Sequence, residues 1–268
     1  MPAPPDPADL RGVTTTFHGR YRGSHNTGVP DKSALGTPRF GGVLITPNQV
    51  FNDQHFIGNV EIRATGVVFN RCYFEARGDL FPVNAIAQTS FYDCDFNGGT
   101  ASTTSAVVTG SVLAVRCHIW GGGQDSVGFG DNATYQDCYI HGNVPHFGTH
   151  SDSAQTLGGT NLAVRRCKLL ALDPLANSTD GFNAAMQLGV VSGGAPLAGL
   201  DVVDNYVDGG GYTLNGSLTL PSVSGVLISG NRWGRHGQFG SIAAADRVVP
   251  PYGTFTATNV FDNTGELV

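Results

Sequence analysis

The sequence has no apolar run of 18 residues, so no bilayer-spanning helix is encoded. It has no CxxC pair, which sets aside a zinc site of the usual spacing. Its five cysteines never lie close together, which argues against a disulfide framework. Charged residues make up only 13% of the chain and the net charge is −6, so the basic surface that a nucleic-acid partner needs is missing. No stretch keeps a 3.6-residue apolar period long enough for a helix. The opening MPAPPDPADLRG lacks the charged start, apolar centre and small-residue cleavage site of a secretory signal. The expectation is a protein made in a cytoplasm with its cysteines reduced. What the chain does have is glycine, 38 residues in 268, beside many Asn, Asp, Thr and Val: the composition of short strands joined by tight bends.

One short pattern recurs along the chain. Its copies read VFNDQHF, VFNRCYF, SFYDCDF, LAVRCHI, TYQDCYI, AVRRCKL, DVVDNYV, LISGNRW and FTATNVF. Aligned on the fifth residue, they give one column: Gln54, Cys72, Cys94, Cys117, Cys138, Cys167, Asn205, Asn231 and Asn259. Every cysteine falls in it. Two positions on, every copy is apolar, from Phe56 and Phe74 to Trp233 and Phe261. A fixed apolar skeleton at this spacing signals a solenoid. Cysteine then acts as a small buried filler, and the later asparagines are expected to form an amide ladder at an inward bend. The residue before the column alternates in sign through Asp53, Arg71, Asp93, Arg116, Asp137, Arg166 and Asp204. Equivalent residues of adjacent parallel strands lie about 4.8 Å apart, so each carboxylate is expected between two guanidinium groups. A slip of one turn would then oppose like charges.

Each turn divides into three strands. The repeated pattern holds the second strand, a bend at the charged position and the third strand. The first strands are read at VEIRA, PVNAI, AVVTG, SVGFG, SAQTL, AMQLG, YTLNG and SIAAA. The fold expected is an all-β, single-stranded right-handed parallel β-helix of eight or nine turns, the hand following from the crossover rule. Residues 1–30, Pro-rich and then polar, are expected to be an attachment arm. Residues 31–48 are expected to cap the first turn, and 49–268 to form the β-helix.

The densest group of titratable and amide side chains lies in the middle turns. Val127, Ala154, Met186 and Leu214 are read as inward, and Gly128, Gln155, Gln187 and Asn215 as an outward polar row. Asp125 and Asp152 would be neighbours on adjacent turns, just after a run holding His141, His146 and His150. Such groups suit a shallow carbohydrate groove, with amides bonding to hydroxyls and Tyr212 or Trp120 stacking on a sugar face. The candidate glycan-binding residues are His146, Gln155, Gln187, Tyr212 and Asn215. Asp125, Asp152 and His150 are the candidate catalytic residues: two carboxylates at rung spacing could act as acid and base on a glycoside, or hold one Ca²⁺ beside a base in a lyase. The plain alternative is a set of side-chain ladders satisfying each other at a bend. The three histidines sit in a Gly/Pro loop without ligand spacing, so no metal is assigned to them. His55 and His118 are read as packing or surface residues. Asn132, Asn177 and Asn215 begin N-x-[ST] matches, read as chance.

GTHSDSAQTLGGTNLAVRRCKL resembles the "H-N-D-G-I-Q, then G-G-x-N" segment of right-handed parallel β-helix proteins of actinobacteria and their phages. NAAMQL followed by LDVVDNYVDGGGYTL is similar to the next segment of that family, and NTGVP and NVEIRATGVVFNRCYF to its opening turns. The likeness runs over about residues 26–233. His150, Asp152 and Gln155 match the polar signature, while Ser151 and Ser153 stand where Asn and Gly are usual. The superfamily is pectate-lyase-like, but the paired-Asp, Gly-His-Asp and Arg-x-Lys signatures of its polygalacturonase branch are missing. The resemblance implies a minor tail protein of the virion. Residues 1–30 would bind other tail proteins, and a homotrimer fits that setting. The solenoid would face a bacterial surface polysaccharide. The competing expectations are an envelope-degrading lyase or glycoside hydrolase, and a bacterial protein of other role on the same fold.

Overall fold

The computed structural model describes residues 22–78, 82–99, 106–145, 150–172, 181–189, 195–216, 223–243, 253–256 and 258–268. Every pairing between its strands is parallel, and the strands form three stacked faces of a right-handed parallel β-helix. The first face stacks 42–44, 60–62, 83–85, 108–110, Val127–Phe129, Ser151–Thr156, Phe182–Leu188, Tyr212–Gly216 and Gly240–Ile242. The second begins at Val50–Asn52 and Val67–Asn70 and ends at Val223–Ser229 and Gly253–Phe255. The third runs from 55–57 and Tyr73–Glu75 to Arg232–Trp233 and Val260–Phe261. All eight expected first strands lie on the first face, and the repeated pattern supplies the other two. Among the described residues no helix is long and apolar enough to cross a membrane.

Alternation along each strand sends every second side chain inward. In the early turns the interior is two interlocked phenylalanine ladders. Phe56, Phe74 and Phe96 stack at 5.1 and 4.9 Å between ring centroids, and Phe51, Phe69 and Phe91 at 5.0 Å each. Edge contacts such as Phe69–Phe74 at 5.2 Å join the two ladders. Ile119, Ile140, Leu169, Val207 and Trp233 continue the third-face column inward.

The corner between the second and third faces explains the repeated column. Asp53, Arg71, Asp93, Arg116, Asp137, Arg166 and Asp204 all have φ between 52° and 57°. Each turn is thus redirected by a single left-handed residue, a conformation costing L side chains roughly 1–2 kcal/mol. Gly230 fills the same place at φ 68°. Along the alternating charges the side-chain hydrogen bonds are paired. Arg71 gives both nitrogens to Asp53 at 2.7 and 2.8 Å, Arg116 to Asp93 at 2.7 and 2.8 Å, and Arg166 to Asp137 at 2.9 Å twice. A planar guanidinium engages both oxygens of one carboxylate, so each arginine's hydrogen bonds reach back one turn, while its charge is also stabilised by the carboxylate of the following turn, Asp93, Asp137 or Asp204.

The next residue points inward and satisfies the corner carbonyls. Cys94 Sγ lies 3.3 Å from the Tyr92 carbonyl and 3.5 Å from that of Phe69, one turn back. Cys72, Cys117, Cys138 and Cys167 repeat the arrangement. All five thiols are free and buried. Asparagine then does the same with stronger bonds. Asn231 Nδ2 donates to the Val202 carbonyl at 2.8 Å and to Asn259 Oδ1 at 2.9 Å, while its own Oδ1 accepts from the Asn205 backbone and side chain. The amide ladder is present as the sequence suggested.

At the N-terminal end the chain packs back onto the solenoid. Of the arm placed at residues 1–30, the described part, 22–30, lies along the third face. Arg22 is buried against Asp137, the Gly28 N–H donates to the Arg116 carbonyl at 2.8 Å, and the Val29 N–H reaches Asp95 Oδ1 at 3.3 Å. A Cβ on Gly28, at φ 81°, would meet Asp95 Oδ1 at 1.8 Å, so only glycine lets the strap approach this closely. The strap descends four turns before the Gly36 N–H bonds to the Asp53 carbonyl at 2.8 Å. The stretch expected as a cap, 31–48, holds a 3-10 turn, Lys32–Ala34, and the terminal strand, Arg39–Leu44, which leaves Phe40, Val43 and Ile45 exposed. The far end is folded over, where Leu267 forms an antiparallel bridge with Val260 and the Phe261 N–H bonds to the Glu266 carbonyl.

Candidate functional site

The first face carries the expected row. Val127, Ala154, Met186 and Leu214 are in register and buried. Gly128, Gln155, Gln187 and Asn215 are in register on the outside, and the three amide side chains are half-buried. Tyr212 begins the strand that ends the row; it is half-buried, with its ring centroid 5.7 Å from that of the exposed Phe239.

Asp125 and Asp152 are neighbours on adjacent turns, since the Asp152 N–H donates to Asp125 Oδ1 at 3.0 Å. They do not lie in an open groove. Asp152 is 0% exposed and Asp125 is 4% exposed. Around them is a closed polar knot. Asn183 Nδ2 donates to Asp152 Oδ1 at 2.9 Å and to Gln187 Oε1 at 3.2 Å, and Gln155 Nε2 donates to Asp152 Oδ2 at 3.3 Å. Asn143 Oδ1 accepts from Ser126 Oγ at 2.6 Å, and its Nδ2 donates to the carbonyls of Gln124 at 2.8 Å and Asp152 at 3.2 Å.

Burial dominates the electrostatics of the pair. It pushes Asp125 up to about 7, with the Asp152 N–H partly opposing. It pushes Asp152 up to about 8, helped by the Asp125 charge and opposed by the Asn183 hydrogen bond. Two carboxyls this close in a dry site hold their protons near neutral pH.

The knot is continuous with the outer row, because Gln155, Asn183 and Gln187 bond to Asp152 or to each other. Asp152 thereby fixes the rotamers of amides that face solvent. Sequence reasoning gave Asn183 and Asn143 no role in the site. Asn183 is squeezed out where the register shifts between Ser151–Phe182 and Asp152–Ala184, and a bulge of that kind leaves no compositional trace.

The histidines part company. His150 is exposed beside Ser151, and His146 lies outside the described residues. His141 belongs to the third face, where its Nε2 lies 2.8 Å from His118 Nε2. Burial lowers His118 to about 3 and His141 to about 4, so both rings are neutral and one donates to the other. Among the described residues no three His, Cys, Asp or Glu side chains gather as metal ligands.

The third face also bears a strip of rings beside the strap. His118 stacks on Trp120 at 4.2 Å and Tyr139 on His141 at 4.0 Å, and Lys168 lies over Tyr139 and Tyr206 at 5.5 and 5.6 Å. No family model matches the chain, and no curated protein is significantly similar to it.

Proposed function

We propose that the protein is a structural, glycan-recognising β-helix of a phage tail, of the pectate-lyase-like kind that its sequence resembles. The first-face row of Gln155, Gln187 and Asn215 carries the binding half of this reading. Three carboxamides at rung spacing offer paired donors and acceptors to the hydroxyls of an extended polysaccharide. The knot behind holds two of them in place, so little side-chain entropy is lost on binding. The virion assignment is supported by the ordered resemblance of several segments. It brings a bacterial surface polysaccharide and neighbouring tail proteins as partners.

Recognition without cleavage is the form of this proposal. A residue acting on a glycosidic bond must touch it, and Asp152 has no accessible surface. Co-sedimentation with actinobacterial envelopes tests the row. Wild-type protein is expected in the pellet, and the Gln155→Ala/Gln187→Ala/Asn215→Ala variant in the supernatant. Equal pelleting of the two would remove the row from recognition.

A further inference from the structure

The third-face column that reads Tyr73, Asp95, His118 places a short side chain between large ones. Tyr73 on one turn and Trp120 two turns on lean together over the gap, with nearly parallel rings, centroids 6.3 Å apart and planes 11° apart. Asn97, on the turn between, donates to the Tyr73 hydroxyl at 2.9 Å and steadies that ring. Asp95 lies at the floor, its side chain 2% exposed. Into this notch the strap delivers Lys32, whose Nζ stands 2.8 Å from Asp95 Oδ2, 4.9 Å from the Tyr73 centroid and 5.2 Å from that of Trp120. Two electron-rich faces and a buried carboxylate are the means by which proteins hold ammonium groups. Lys32 itself is 54% exposed, so the notch opens to solvent on the side from which its chain enters.

We propose that Tyr73, Trp120 and Asp95 form an ammonium-binding cage that the chain fills with its own Lys32, so that a ligand bearing a quaternary or primary ammonium competes with the N-terminal strap for one site. The cage lies on a different face from the amide row and does not depend on it. Occupation by an external cation displaces Lys32. It also loosens the strap bonds beside it, from Gly28 to the Arg116 carbonyl and from Val29 to Asp95.

Trp120 and Trp233 are the only tryptophans, and Trp233 is fully buried, so intrinsic fluorescence reports on the cage. Choline is the probe, with its uncharged carbon isostere as control. The Lys32→Ala variant is expected to give a saturable change at a choline concentration at least about tenfold below that needed by wild type, the scale of one cation–π contact. The isostere is expected to give none, and Lys32→Ala/Asp95→Asn to lose the response. In wild type, saturating choline is expected to speed hydrogen exchange at the Gly28 and Val29 amides. The proposal is overturned by equal midpoints in wild type and Lys32→Ala, by an equal response to the isostere, or by unchanged exchange at those amides. Lys32→Gln repeats the comparison if the alanine variant does not fold.

Discussion

Replacing Asp152 with Asn should make the protein more stable in alkali. In the unfolded chain both carboxyls are ionised above pH 6. In the folded protein Asp125 and Asp152 keep protons to about 7 and about 8. The folded state therefore binds more protons, and stability falls as pH rises through those values. The buried histidines act in the opposite sense, because their folded affinities are lowered, but their effect is complete once the unfolded histidines are neutral, above about 7. Between pH 6.5 and 9 the carboxyl pair dominates. At 1.36 kcal/mol per decade, Asp152 loses roughly 2 kcal/mol over that span and Asp125 somewhat under 1 kcal/mol, giving about 2–3 kcal/mol for the coupled pair. The amide of the Asp152→Asn variant would keep an oxygen for Asn183, and Gln155 can turn its own amide to meet the new donor. Urea unfolding followed by circular dichroism at pH 6.5 and 9 measures the slope. Wild type should lose about 2–3 kcal/mol and Asp152→Asn well under half of that, overtaking wild type at pH 9. A flat wild-type profile, or an unchanged slope in the variant, would refute the reasoning.

Asn231→Ala should cost about 2–3 kcal/mol, since the Asn205 amides and the Val202 carbonyl lose buried partners; the urea midpoint measures it. Arg116→Gly should stay within about 1 kcal/mol of wild type, because relief of its left-handed backbone offsets a half-exposed ion pair, whereas Arg116→Val should lose about 2 kcal/mol or more by thermal melting. Phe74→Ala, which breaks one phenylalanine ladder and its edge contacts to the other, should cost about 3–5 kcal/mol in the same melts.

The solenoid was legible because its constraints repeat. The Cys/Asn column, the apolar column two residues on and the first strands each recur with every turn, and a parallel stack demands that they do. The left-handed corner was hidden behind its own residues: Asp tolerates positive φ but Arg gives no such signal, and the alternating charges suggested a surface ladder instead. The burial of Asp125 and Asp152 comes from neighbours such as Asn143 and Asn183 that no sequence period marks, and their chemistry argued for the surface. The strap left no periodic trace, since SHNTGVPDK reads as loop and acquires its place only from Asp95, Arg116 and Asp137, more than sixty residues on.

Recognition without cleavage can be read in a single tube. Purified protein is incubated with actinobacterial envelopes, and bound protein and newly released sugar ends are measured together. Bound protein with no release above the blank is the predicted result. Release of sugar ends that disappears in Asp152→Asn or Asp125→Asn would contradict it and make this β-helix a depolymerase.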